Sequence, residues 1–314
     1  MIEVSDLTKL YGNIAAIRNV SFSVAQGEIL GFLGPNAAGK TTTMRILAGY
    51  LPPTSGEALV AGHDVLTDSL EVRRHVGYLP ETVPLYGEMT VTSYLRFFAK
   101  LRGVRAVGER LDYVVAACGL VGYENHVIGR LSRGYRQRVG IAQALIHDPE
   151  VLILDEPTVG LDPRQIAEVR GLIRSLGGAH TIILSTHVLP EVSQTCSRVL
   201  IINDGRIVAE DTPERLTGRV PGSRRLSLSL QRPAADAESR IGGVPGVASV
   251  QPAEAGRFVI ECSPDAECRP DIAQLSVAEG WGLLELRSQD VSLEEAFLRL
   301  TGETEESEER EVAS

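Results

Sequence analysis

Short apolar runs recur along the first two thirds of the chain, each closed by polar or glycine-rich residues. Ile29-Leu30-Gly31-Phe32-Leu33, Val151-Leu152-Ile153-Leu154, Thr181-Ile182-Ile183-Leu184 and Val199-Leu200-Ile201-Ile202 are rich in β-branched side chains and show no polar alternation. Runs of that kind predict strands buried on both faces. Helical patterning separates them, so they predict a mostly parallel sheet covered on both sides, an α/β fold. Asn203-Asp204-Gly205 predicts a hairpin turn into a strand over 206–209. The stretch 93–145 is different. Its pattern is helical, as in Tyr94-Leu95-Arg96-Phe97-Phe98-Ala99-Lys100-Leu101. It predicts a helical lobe, about 85–148, inserted into the sheet domain.

The pattern changes at Gly218-Arg219-Val220-Pro221-Gly222, after which Leu226, Leu228 and Leu230 alternate at period two. The segments that follow predict strand 225–230, helix 234–241, strand 247–251, strand 257–262, helix 270–279 and strand 282–287. That order, β-α-β-β-α-β, is the ferredoxin-like split unit, a small α+β domain. A last helix is expected over 292–300, with Ser292 as N-cap and Glu295 at the capping-box position. Domains are therefore expected at 1–220 and 221–302. The end, 303–314, carries Glu303, Glu305, Glu306, Glu308, Glu309 and Glu311 and is expected to be a solvated, disordered acidic tail.

Chemistry enters at Gly34-Pro35-Asn36-Ala37-Ala38-Gly39-Lys40-Thr41, which fits the phosphate-loop pattern of Gly, four residues, then Gly-Lys-[Ser/Thr]. An apolar strand precedes it and a helix over 42–48 is expected to follow, with Thr42 at its start. In that context loop N–H groups converge on an anion. Lys40 is placed to reach the terminal phosphates and Thr41 to offer its hydroxyl to Mg²⁺. The bland reading is a glycine-rich turn with an exposed lysine, and the flanks argue against it. The strand 151–154 ends in Asp155 and Glu156. Asp155 is expected to hold the Mg²⁺ shell and Glu156 to polarise an attacking water. Alone, these two would read equally well as solvated acids at a strand exit.

Composition narrows the setting. A chain of 314 residues suggests about two domains. The net charge of −10 argues against a general nucleic-acid binder, and no specific nucleic-acid partner is expected. No apolar run approaches the roughly 20 residues of a membrane span. Glu3 and Asp6 stand where a signal peptide would be basic and then apolar, so a cytoplasmic location is expected. Cys118, Cys196, Cys262 and Cys268 form no Cys-x-x-Cys pair and read as structural thiols.

Leu131-Ser132-Arg133-Gly134-Tyr135-Arg136-Gln137-Arg138 resembles the signature of the ATP-binding cassette family, whose core is Leu-Ser-Gly-Gly-Gln. Further landmarks follow the family's order. Tyr11 matches the aromatic that stacks on adenine, and Glu81, in Gly77-Tyr78-Leu79-Pro80-Glu81, matches the loop that usually carries Gln. Leu161-Asp162 matches the loop after the carboxylates, and His187, in Ser185-Thr186-His187, the switch histidine. The resemblance covers about 1–217. It implies a P-loop cassette that binds and hydrolyses ATP with Mg²⁺ held by Thr41, Asp155 and Glu81. It further implies that Ser132 and Gly134 close over the ATP of a second cassette chain, in a homodimer on the simplest reading, and that His187 senses the γ-phosphate.

Three departures matter. Ala37 replaces a usual glycine, Arg133 and Tyr135 replace Gly and Gln of the signature, and Glu81 replaces Gln. Together they resemble the ABC-2 type exporter branch, including cassettes named for gliding motility. The segment Ser292 to Gly302 resembles the closing motif of that branch's accessory domain. The resemblance implies a separate multi-span permease whose coupling helix docks near Glu81 and residues 82–102, holding the chain at the inner face of the membrane. Of Leu85, Tyr86, Tyr94, Phe97 and Phe98, which could line that groove, Phe97 and Phe98 are expected in the lobe core. The alternative is a soluble cassette ATPase acting on a ribosome or nucleic-acid complex. Such relatives usually join two cassettes or carry coiled coils or zinc sites, which this chain lacks.

Overall fold

The first unit of the chain, Met1–Asp211, opens with two long strands, β1 (Ile2–Tyr11) and β2 (Ile14–Val24), before the first apolar run forms β3 (Ile29–Leu33). The phosphate-loop helix α1 (Lys40–Leu47) comes next, followed by β4 (Ser55–Val60), β5 (His63–Asp64), α2 (Ser69–His75) and β6 (Val76–Leu79). The lobe holds α3 (Val91–Leu101), α4 (Val107–Ala117) and α5 (Arg133–Leu145). Then β7 (Val151–Asp155), α6 (Pro163–Leu176), β8 (Thr181–Thr186), α7 (Leu189–Thr195), β9 (Arg198–Asn203) and β10 (Arg206–Asp211) complete the unit. This computed structural model describes residues 1–219, 224–253, 256–263, 266–290 and 297–298.

Six strands form one sheet in the order β10-β9-β3-β8-β7-β6. All neighbours pair parallel except β10, which returns antiparallel beside β9 through the Asn203-Asp204-Gly205 turn. The four apolar runs form β3, β7, β8 and β9, as expected. A second, antiparallel sheet, β2-β1-β4-β5, was not foreseen. Neither were α2 and β6. One core joins the two sheets across α1: Ile2, Leu7 and Ile17 from the second sheet pack with Leu30, Phe32, Met44, Ile46 and Ile153.

Helix α1 starts at Lys40, two residues before the expected 42. The cause is local. Gly39 has φ 107, and its carbonyl accepts both the Thr43 N–H and the Thr43 hydroxyl at 3.0 Å, so helical bonding begins at the end of the loop. Helices α3, α5 and α6 open on side-chain caps that accept a backbone N–H: Thr90 from Ser93, Ser132 from Tyr135 and Asp162 from Gln165. In the lobe, Tyr94 is fully buried and packs edge-on against Tyr86. Phe97 is 44% exposed, contrary to the expected core position. It lies two helix positions past the buried Leu95, on the turn face that α3 shows to solvent.

The second unit, Thr212–Ser314, begins with α8 (Pro213–Arg219). It continues with β11 (Arg224–Leu230), α9 (Ala237–Gly242), β12 (Val247–Pro252), β13 (Arg257–Cys262), α10 (Arg269–Ala278) and β14 (Leu283–Asp290). The sheet order β12-β13-β11-β14, antiparallel throughout, is that of the expected ferredoxin-like arrangement. Helix α9 starts later than 234, because a turn closed by the Ala237 N–H on the Ala234 carbonyl precedes it. Leu226, Leu228, Ile241, Phe258, Ile260, Ile272 and Trp281 form its core. Cys262 and Cys268 are buried free thiols, and burial pushes Cys262 up to about 12. The expected helix 292–300 lies outside the described residues except for Phe297 and Leu298, which are helical. The tail 303–314 lies wholly outside them.

Candidate functional site

The site is built where β3 delivers the chain to α1. Gly34 leaves the strand against β9, where a Cβ would meet Ile202 Cγ2 at 2.9 Å. At Gly39 a Cβ would meet the Ala16 carbonyl of β2 at 2.6 Å, so glycine is required for space as well as for its φ of 107. Ala37 has φ 65, the left-handed region where the departure from glycine costs about 1 kcal/mol or more. Pro35, Asn36, Ala37, Gly39, Lys40, Thr41 and Thr42 line a cavity of about 470 Å³. Glu81, Glu156 and His187 add to its wall. Gly34 and Ala38 support the loop from behind, Ala38 being buried.

Lys40 folds over its own loop. Its Nζ donates to the carbonyls of Gly34 at 2.6 Å and Pro35 at 3.1 Å and lies 3.4 Å from Glu156 Oε1. The other oxygen, Glu156 Oε2, meets His187 Nδ1 at 2.9 Å. Glu156 has φ 50, and its N–H is held by the Ser185 carbonyl at 3.0 Å, so the strand ends of β7 and β8 aim the pair at the cavity. Strain at a non-glycine residue of this kind concentrates at functional positions.

Asp155 lies one residue back, fully buried. Burial raises its carboxyl above the ordinary range, with Ser185 and Thr41 acting in the other direction and Glu156 and Glu81 adding to the rise. The Ser185 hydroxyl donates to Oδ1, while Oδ2 is buried without a hydrogen-bond partner. An orphaned buried carboxylate oxygen beside Thr41 fits a hard divalent cation. Among the described residues no group of three or more His, Cys, Asp or Glu forms a metal cage. That fits Mg²⁺, which takes one or two carboxylates and fills its shell with water and phosphate oxygens.

The signature residues stand elsewhere. Ser132 and Gly134 line a separate cavity of about 280 Å³ with Tyr135, Arg138, Asp162 and Gln165. Ser132 Oγ is already engaged as the α5 cap, accepting the Tyr135 N–H at 3.4 Å. A Cβ on Gly134 would meet Gln165 Cδ at 2.7 Å, so this glycine also serves packing within its own chain. Tyr135 packs tilted against Tyr123, ring centroids 3.9 Å apart, and their hydroxyl contact raises Tyr135 above the usual phenol range. A third cavity, about 360 Å³, joins Glu81 to Val83, Leu85, Arg133, Arg136 and Gln137. Glu81 thus belongs to two cavities.

Tyr11 is not brought to the nucleotide cavity. It ends β1, 49% exposed, with Lys9 Nζ 5.6 Å from its ring centre. Sequence reasoning missed Ala16 and Val159, which line the cavity, and Ser185, which bonds Asp155. Small or apolar residues on unforeseen strands and loops carry no chemical signal of their own.

A parallel sheet with this strand–loop–helix, a histidine after the neighbouring strand β8 and two carboxylates at the tip of β7 one strand further defines an ATPase of the P-loop cassette class. The family model described as ABC transporter matches residues 17–159. The bacitracin transport ATP-binding protein BcrA of Bacillus licheniformis is 39% identical over 236 residues, 74% of this chain and 77% of that protein. The probable multidrug ABC transporter ATP-binding protein YbhF of Escherichia coli K12 is 40% identical over 235 residues, 74% of this chain, but this chain spans only 40% of its length. The dimeric, post-hydrolysis structure of the cassette MJ0796 bound to ADP and Pi superposes with a TM-score of 0.62 at 26% identity, covering 68% of this chain and 98% of that one. The chain belongs to the ABC transporter ATP-binding family.

Proposed function

We propose that this chain is the ATP-hydrolysing subunit of an ABC-2 type exporter, working as a dimer of cassettes beneath a separate multi-span permease. Among the described residues no helix is long and apolar enough to cross a membrane, so the permease supplies the path and holds the chain at the inner membrane face. The triphosphate lies in the cavity of the phosphate loop, with loop N–H groups and Lys40 on its β- and γ-oxygens. Lys40 leaves the Gly34 and Pro35 carbonyls to reach them. Thr41, Asp155 Oδ2 and Glu81 hold Mg²⁺, which when bound neutralises charge on the phosphate oxygens.

Glu156 accepts a proton from the water that attacks the γ-phosphorus. The new P–O bond forms as the bond to the β–γ bridging oxygen breaks, leaving ADP and phosphate. His187 orients Glu156 through its Nδ1 contact and, from the same stretch of wall, meets the γ-phosphate. Ser132 and Gly134 of the second cassette close the site, and loss of the γ-phosphate opens it. The observation that carries this reading is the Lys40–Glu156–His187 chain of contacts on the cavity wall.

The test is Glu156→Gln. It keeps the shape and removes the base, so ATP binding persists, turnover falls at least about a hundredfold, and Mg-ATP shifts the protein to a dimer in size measurements. Turnover at the wild-type rate would overturn the role of Glu156.

A further inference from the structure

Glu191 is a buried acid that the reaction above does not use. It lies in the first turn of α7, 2% exposed, and does not line the nucleotide cavity. Its Oε2 accepts two hydroxyls, from Thr158 at 2.7 Å and from Thr186 at 3.2 Å. Thr158 stands two residues after Glu156. Thr186 stands immediately before His187, and its Oγ1 also accepts the Val188 N–H at 3.0 Å, so it brackets the histidine on both sides. One carboxylate oxygen therefore anchors both backbone segments whose side chains meet as Glu156 and His187, 2.9 Å apart.

This anchor is costly as mere packing. Glu191 Oε1 is buried with no hydrogen-bond partner. Burial raises its carboxyl, nearby Glu156 adds to the rise, and Thr158, Thr186 and Arg170 act against it. An apolar side chain of similar size would fill the space without desolvating a carboxylate. What an apolar side chain cannot do is accept two hydroxyls at one point, from the loop after β7 and from the end of β8.

We propose that Glu191 is a positioning residue for hydrolysis: by holding Thr158 and Thr186 together it fixes the separation of Glu156 and His187. The proposal rests on the roles given to those two residues above. It acts on the geometry of the water-activating pair and leaves the phosphate loop untouched. Its mark is a fall in kcat with little change in the KM for ATP. It also requires an acceptor oxygen at position 191, not a negative charge as such.

Steady-state ATPase of the full chain tests this, with Glu156→Gln as the control. Glu191→Leu is expected to lower kcat about tenfold or more while KM stays within about threefold, and Glu191→Gln, which keeps an acceptor, to stay within about threefold of wild type. Thr158→Val removes one donor without changing shape, Thr186→Val removes a donor together with the acceptor of the Val188 N–H, and each is expected to lower kcat about threefold or more at unchanged KM. Combining Thr158→Val with Glu191→Leu is expected to cost no more than Glu191→Leu alone. If Glu191→Leu fails to fold, the two threonine variants decide. Wild-type turnover in a folded Glu191→Leu, or in both threonine variants, overturns the proposal, as does a Glu191→Gln as slow as Glu191→Leu. If Glu156→Gln itself turns over normally, the underlying reading fails and takes this one with it. If only the control is inactive, the positioning role alone is lost.

Discussion

Tyr11, at the end of β1, is half exposed and does not line the cavity, with Lys9 Nζ near its ring. Its resemblance to an adenine-stacking aromatic implies that the ring covers the base once nucleotide arrives. Base–aromatic stacking is worth about 1–3 kcal/mol, so Tyr11→Ala is expected to weaken ATP binding about tenfold and Tyr11→Trp to preserve it. Equal affinities by titration calorimetry for wild type and Tyr11→Ala would assign the base contact to another residue. At this scale the sequence carried the chemistry and not the torsions. The motif named Lys40, Thr41, Asp155 and Glu156. Ala37 takes positive φ in the turn of the loop after β3, and Glu156 takes it where its N–H meets the Ser185 carbonyl, a contact that arises only once β7 and β8 have paired. Likewise Gly134 read as a phosphate-facing glycine, while its packing on Gln165 depends on how α5 meets the start of α6.

Elements buried on both faces announced themselves, because β3, β7, β8 and β9 are runs of consecutive apolar residues. The antiparallel sheet did not. In β1 the buried positions Ile2, Val4 and Leu7 break period two, since Asp6 takes φ 49 and the register with β2 shifts on either side of Leu7. Strand β6 is only four residues long and includes Gly77, so its pattern was too brief to read. It is nonetheless tied to α5 at its end: His147 Nε2 lies 3.1 Å from the Val76 carbonyl and donates to it. Burial, helped by Arg102, lowers the His147 imidazole to about 4. The unfolded chain therefore takes up this proton near its ordinary value of about 6.5, and the folded chain only near 4. The stability that neutral His147 provides is complete above pH about 6.5 and is lost as pH falls toward 4, on the order of 3 kcal/mol in all. Urea unfolding of wild type and His147→Gln is expected to show a stability difference that narrows across that window. A difference independent of pH would mean that the buried imidazole titrates normally.

At the scale of the molecule, the phosphate loop and the signature lie in different cavities of the first unit, so each wall of a complete site is expected to come from a different chain. Lys40→Arg and Gly134→Asp should each inactivate a homodimer. Mixed with exchange of chains, they form a dimer in which one site carries both lesions and the other neither, and ATPase activity should return. Co-purification through two tags establishes that the mixed dimer exists. Such a dimer with no activity, and no crosslink from bound ATP to the partner's position 132, would refute the shared site. Arginine is chosen at position 40 because the lysine belongs to a buried ion pair. Lys40 and Glu156 are each 7% exposed as side chains and pair at 3.4 Å. Removing one member of a buried ion pair costs about 3–5 kcal/mol, a large share of a domain's stability. A Lys40→Ala allele in a cell would therefore lower the amount of protein as well as its turnover. Loss of ATPase activity in extracts of such a strain would report dosage and chemistry together, and only the arginine allele, read beside an immunoblot, would separate the two.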